Sequence, residues 1–154
     1  MKALFFHADT FGFAVESRSE KIGGCEPEIF ADCDDTGEGS PRVLSKVLQV
    51  RECLVALFHV EDGDGQKEIA RLCKDIRRIA EKVGTTHLVV AAFGHLSHRY
   101  ASPEEAMEIS GQVVATCRAW EGYEVFSSPF GHNKTFILHA KGHPDAVKHR
   151  SYGG

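Results

Sequence analysis

The sequence predicts a mixed α/β fold, and three observations carry that prediction. Two segments, 69–83 and 106–120, repeat apolar residues at intervals of three and four, the period of a helix with one buried stripe. Two others, "ECLVALFHVE" (52–61) and "THLVVAAFG" (86–94), are near-continuous apolar runs, the pattern of central strands covered on both faces. Strand, helix, strand and helix alternate along the chain, which requires a parallel portion of sheet with helices packed on one face.

The elements follow in order. Residues 3–8 ("ALFFHA") and 11–16 ("FGFAVE") read as strands, and the "HADTFG" that spans them supplies turn residues, so an opening antiparallel hairpin is expected. Segment 18–49 is rich in Gly, Pro and acids and reads as a long excursion from the core, with a short helix or strand near Val43 to Leu48. After strand 52–61, Ile69, Leu72, Cys73, Ile76, Ile79, Ala80 and Val83 form one helical stripe, with Gly84 at the stop. Strand 86–94 comes next. Ser102, Pro103, Glu104 and Glu105 then make a capping box with proline at the first helical position. Ala106, Ile109, Val113, Cys117 and Trp120 are the buried stripe of that second helix. "YEVFSS" (123–128) and "KTFILHA" (134–140) read as a closing antiparallel hairpin turned at "PFGHN". Residues 1–147 are therefore expected to form one domain, and 148–154 a polar tail or linker.

Composition narrows the function. With 154 residues and 42% hydrophobic content, the chain suits one domain with one core. It has no apolar run long enough to span a membrane, and His7 and Asp9 interrupt the opening "MKALFFH" too early for a signal peptide. Five cysteines, odd in number and without a C-x-x-C pair, describe reduced core thiols of a cytoplasmic protein. A net charge of −4 argues against a protein that grips a long duplex, because phosphate neutralisation supplies most of that affinity. Any nucleic-acid footprint should be small.

Several short motifs dissolve on inspection. The Asp-Thr-Gly at 35–37 lacks the apolar strand and the second aspartate that aspartic-protease chemistry needs. "DGDG" (62–65) lacks the later bidentate glutamate of a calcium loop and reads as the approach to a helix. His139 and His143 are spaced for a helix but sit where a strand runs into a Gly-Pro turn, and no histidine pair sits beside a cysteine or carboxylate at standard ligand spacing. No metal or cofactor is expected. No phosphate loop, dinucleotide fingerprint or nucleophile elbow is present. What remains is a set of polar residues at strand ends: His7, Asp9, His59, His95, His132, Asn133 and Lys134. In open α/β sheets, sites form at such ends.

Taken in order, "FFHAD", "LVALFHVE", "AFGHLS", "PFGHNKTF" and "KGHP" resemble the N-terminal editing domain of archaeal-type threonyl-tRNA synthetases, over residues 1 to about 146 with 18–49 unmatched. That resemblance implies a fold shared with D-aminoacyl-tRNA deacylases, and hydrolysis of L-seryl-tRNA(Thr) that spares L-threonyl-tRNA. The implied chemistry leans on the terminal 2′-hydroxyl of the tRNA and on positioned water. By position in the motifs, His95 and Lys134 are the expected catalytic residues. His59, Val60, Glu61, Ala92, Phe93, Gly94, Phe130, Gly131, His132 and Asn133 are the expected substrate-binding residues. Two departures stand out: His132 and Asn133 precede the lysine where the family often has aromatics, and Val147 stands where it commonly has glutamate. The implied partners are the CCA end of tRNA(Thr), the remaining domains or companion chain of a synthetase, and a second copy. Two other readings stay open: a D-aminoacyl-tRNA deacylase, and an inactive dimerisation module that binds tRNA ends. The two Phe-Gly-His triplets, 93–95 and 130–132, leave their strands in different contexts, so they read as two walls of one pocket and not as a repeat.

Overall fold

Alternating burial along the central strands determines how the layers stack. The computed structural model describes residues 1–18, 30–33, 39–42, 47–128 and 130–153. Its elements are β1 (Lys2–Arg18), β2 (Phe30–Cys33), β3 (Gly39–Arg42), β4 (Val47–His59), α1 (Gln66–Val83), β5 (His87–Ala92), α2 (Pro103–Arg118), β6 (Glu124–Phe126), β7 (His132–Ala140) and β8 (Val147–Ser151). The main sheet runs β6-β5-β4-β1-β7, and β8 also pairs with β1; β2 and β3 form a separate ribbon. Strands β4, β5 and β6 are parallel, whereas β1 is antiparallel to β4, β7 and β8.

Successive residues of β4 and β5 point to opposite faces. Leu54, Ala56, Phe58, Leu88 and Val90 meet Ile69, Leu72, Ile76 and Ile79 of α1 and Val113 and Cys117 of α2. Each fully buried Leu, Ile or Phe there stabilises the fold by roughly 1.5–3 kcal/mol. Val55, Leu57, Val89 and Ala91 face the other way and join Phe11, Phe13, Val50 and Phe126 in a second cluster. Cys53, Cys73 and Cys117 are buried free thiols, and burial pushes the Cys53 thiol up to about 12.

The helices begin and end where their sequences direct. Glu68 accepts from the Gly65 N–H, and Gly84 (φ 76°) donates back to the Ala80 carbonyl in a left-handed cap. Ser102 Oγ accepts from Glu105 N–H while the Glu105 carboxylate accepts from Ser102 N–H, closing the expected capping box. Trp120 lies beyond the end of α2 but still packs on the helix-side core.

The expected hairpins are not hairpins. Residues 3–16 lie in one 17-residue strand, because Asp9 and Glu52 face each other as matched irregularities and the chain continues past them. The inward face switches parity there, from Ala8 and Cys53 to Phe11 and Val50. Glu52 takes up this kink with φ 45°, a left-handed conformation uncommon outside glycine. At the other end of the chain, β6 pairs with β5 and β7 with β1, so the two strands joined by "PFGHN" stand at opposite sides of the sheet. The polar tail is also a strand: β8 pairs with residues 2–6, and Tyr152 is buried with its hydroxyl on Asp75 and its carbonyl accepting from Arg71. The excursion contributes β2 and β3, Val47 and Leu48 begin β4, and residues 43–46 lie outside the described residues.

Candidate functional site

Strands β4 and β5 end side by side, Phe58 opposite Ala92, and Phe93 N–H donates to the Phe58 carbonyl at 2.7 Å. The chain leaving β5 becomes the loop 93–101, which carries His95. Residues after the end of β4 hold this loop in place. His59, 2% exposed, bonds through Nε2 to the Arg99 carbonyl at 2.7 Å, and its ring packs on Tyr100 at 4.8 Å. The carbonyl is an acceptor, so Nε2 carries the proton, and Nδ1 is buried with no hydrogen-bond partner among the described residues. Val60 accepts from Ala101 N–H, and Arg99 donates to the Asp62 carbonyl.

Glu61 is the strongest tie. Its carboxylate accepts from the Ser97 hydroxyl and from the buried Met1 ammonium, the latter at 2.8 Å, while its N–H donates to Asp64. Burial alone would raise its pKa; the ammonium and the hydroxyl outweigh burial and hold it down at about 2. Glu61 is thus committed to the protein itself, and the Val60 side chain lies in the helix-side core. Their placement makes them supports of the loop.

Two strands away, Lys134 stands opposite Val15 in the β1–β7 register, with Phe136 opposite Phe13 and Leu138 opposite Phe11. Directly opposed residues share a face, so Lys134 lies on the face turned away from both helices. Burial holds its ammonium down to about 8. Phe93 joins the two segments on this face: its ring meets His95 at 5.2 Å and Phe136 at 6.2 Å. His95 itself is exposed and Ala92 packs on the helix side. Gly94 is exposed, and a side chain there would approach Tyr100. In the second segment, Gly131 takes φ 77°, His132 Nδ1 bonds to the Phe130 carbonyl at 3.1 Å, and Asn133 donates to Ser17. The first Phe-Gly-His triplet is thus joined through Phe93 to Phe136 of β7, four residues beyond the second triplet.

His7 and Asp9 belong to a different cluster. His7 pairs with Leu54, five residues before His59, roughly 16 Å along the strand. The 141–146 loop, which carries the "KGHP" motif, closes on His7 through two backbone hydrogen bonds, Lys141 N–H to His7 carbonyl and His7 N–H to Ala146 carbonyl. Lys141 bridges Asp9 and Glu52 at 2.7 Å each and holds both carboxyls below the ordinary carboxylate range. Asp145 N–H donates to His143 Nδ1, so His143 Nε2 donates to His7 Nδ1 and His7 Nε2 donates to Glu52. Each histidine has one donor and one acceptor nitrogen in use. This is a clasp between strands.

Sequence reasoning set Ser97 aside as a hydroxyl without a signature of activation and did not single out Tyr100, Glu52 or Lys141. Ser97 lies inside the quoted "AFGHLS", two residues after His95, and that proximity was the available signal. Glu52 has none, since its role depends on a kink that only pairing with β1 creates. Among the described residues, no group of three or more His, Cys, Asp or Glu side chains is arranged to hold a metal ion, and no helix is long and apolar enough to cross a membrane.

Residues 1–151 match the family described as the Archaea-specific editing domain of threonyl-tRNA synthetase. The chain is 30% identical over 98% of its length to a threonine–tRNA ligase of Thermococcus kodakarensis, and 31% identical over 99% to that of Pyrobaculum calidifontis. It spans about a fifth of these relatives, 22% of each. Among solved structures, the c-Myc DNA unwinding element binding protein shares the fold across the full length of both chains, with a TM-score of 0.65 at 12% identity. The chain belongs to the Archaea-specific editing-domain family of threonyl-tRNA synthetase.

Proposed function

We propose that this domain hydrolyses the seryl ester on tRNA(Thr) and spares the threonyl ester. One observation carries the reading: the loop bearing His95 and the strand bearing Lys134 meet on the same helix-free face, joined by the Phe93–Phe136 contact. A synthetase site that accepts threonine admits serine, because one missing methyl is worth only roughly 1–3 kcal/mol of discrimination. A second site that shuts out the larger ester restores fidelity.

In the step itself, a water oxygen attacks the ester carbonyl carbon and the bond to the ribose oxygen breaks. The free serine leaves with the new C–O bond, and a proton from the water passes to the departing ribose oxygen by way of the neighbouring 2′-hydroxyl. His95 orients water or ribose at the reacting ester. Lys134, a cation at neutral pH, contacts the substrate and steadies the negative charge that grows on the carbonyl oxygen. No protein nucleophile is required.

The domain acts in the cytoplasm, beside the remaining domains or companion chain of the synthetase, which grip the tRNA while only the CCA end enters. This division accounts for the acidic net charge of −4. A second copy of the chain completes the partners: edge strand β7 carries Phe136 and Ile137, 50% and 70% exposed, and such an edge favours pairing. Deacylation of L-seryl- and L-threonyl-tRNA(Thr) tests the reading. Lys134→Met and His95→Ala should each slow seryl release by roughly 100-fold, the scale of one positioned catalytic group, with far-UV circular dichroism unchanged. Two variants that hydrolyse seryl-tRNA like the parent, and still spare threonyl-tRNA, would discard this site. Turnover of D-aminoacyl-tRNA alone would reassign the domain to the other deacylase reading.

A further inference from the structure

We propose that Tyr100 is a stacking platform for a base of the unpaired RNA 3′ end, an inference that rests on the substrate proposed above. Tyr100 is 59% exposed, yet its ring is not loose. His59 lies beneath it at 4.8 Å and is itself buried and fixed by its bond to the Arg99 carbonyl. The next residue, Ala101, is tied by its N–H to the Val60 carbonyl. An aromatic ring held in place with an open surface has already lost the rotational freedom that binding would cost it.

The location directs the choice of ligand. Tyr100 Cε1 lies 4.0 Å from where a Cβ on Gly94 would stand, so the ring lies against the backbone immediately before His95. A nucleotide whose ester sits at His95 brings its own base, or its neighbour's, within reach of that ring. The surrounding groups suit a phosphodiester chain. His95, His98 and Arg99 are exposed on the same loop, and the Arg99 guanidinium is anchored to the Asp62 carbonyl at 3.1 Å. Glu61, the carboxylate that holds the loop at Ser97, is also occupied by the Met1 ammonium. Exposed aromatic rings flanked by cations are how proteins hold single-stranded nucleic acid: every base offers a π-face, and the cations follow the backbone.

The test measures binding and turnover separately. A short uncharged RNA ending in CCA, followed by fluorescence anisotropy against the full chain, should bind Tyr100→Ala about 5- to 100-fold more weakly than the parent. Tyr100→Phe should stay within about two-fold, because the ring and not the hydroxyl carries the stack. With seryl-tRNA(Thr), the alanine variant should raise KM by a similar factor, a larger change than in kcat. Equal binding by parent and alanine variant overturns the proposal, as does failure of the parent to bind the RNA. A sedimentation shift from dimer to monomer in the alanine variant also overturns it, by giving this surface to a second copy of the chain. If the RNA binds in a Tyr100-dependent way but no seryl ester is cleaved, the platform stands and the catalytic reading falls.

Discussion

Lys134 is one residue whose chemistry is set by its surroundings more than by its type. Burial on the helix-free face disfavours its charge and holds the ammonium down to about 8, so the cation is present at neutral pH and lost just above it. If it steadies charge on the reacting ester, kcat/KM for seryl release should bend downward near pH 8. Lys134→Arg should push that bend to higher pH, because a guanidinium stays charged. A bend unmoved in Lys134→Arg would assign it to another group. The same burial affects stability in a known direction. Between about 8 and the ordinary 10.5, the unfolded chain binds a proton that the folded chain does not, so this group's contribution to stability rises with pH through that window.

Among the elements, α1, α2, β4 and β5 were legible because their signals are local: a 3.6-residue stripe, a capping box, a glycine stop and a buried apolar run. The errors all came from pairing. "HADTFG" has turn composition, yet β1 runs through it because Glu52 and Lys141, 43 and 132 residues away from Asp9, complete a kink there. Nothing in "YEVFSS" or "KTFILHA" reveals that their partners are β5 and β1 and not each other. β8 carries polar residues on both faces, Lys148 and Arg150 on one and His149 and Ser151 on the other, and without knowledge of β1's free edge it reads as a tail. In the candidate site, His95 and Lys134 stand as proposals from motif position, while the supports of loop 93–101 were visible only once β4 and β5 lay side by side. Those supports give a test. Ser97 should act as a positioning residue, holding the loop to Glu61 without touching substrate. Ser97→Ala should lower kcat by roughly ten-fold through misplacement of His95, with KM little changed. Ser97→Thr, which keeps the hydroxyl, should recover most of the rate. A rise in KM alone would make Ser97 a binding residue instead.

For the molecule as a whole, Glu61 is where four separate stretches of chain meet: the start of β1 through Met1, the end of β4, the approach to α1 through Asp64, and loop 93–101 through Ser97. Its folded pKa of about 2 lies below the ordinary 4.5, so between these values the unfolded chain binds a proton that the folded chain lacks. The linkage therefore contributes stability that is fully present above about 4.5 and is lost as pH falls toward 2. A shift of that size is worth up to about 3 kcal/mol, a large part of a small domain's stability. Asp9, Glu52 and Asp145 are also held low, but at exposed positions where solvent and salt weaken the effect. Urea unfolding across this acid range should show a steep loss for the parent and a shallower one for Glu61→Gln, which starts less stable at neutral pH and has no proton to take up at this position. Added salt should not close the gap between them, since the pair is buried. If parent and variant lose stability in parallel, the acid response belongs to the surface carboxylates and Glu61 is not the tie that joins loop, strand and helix.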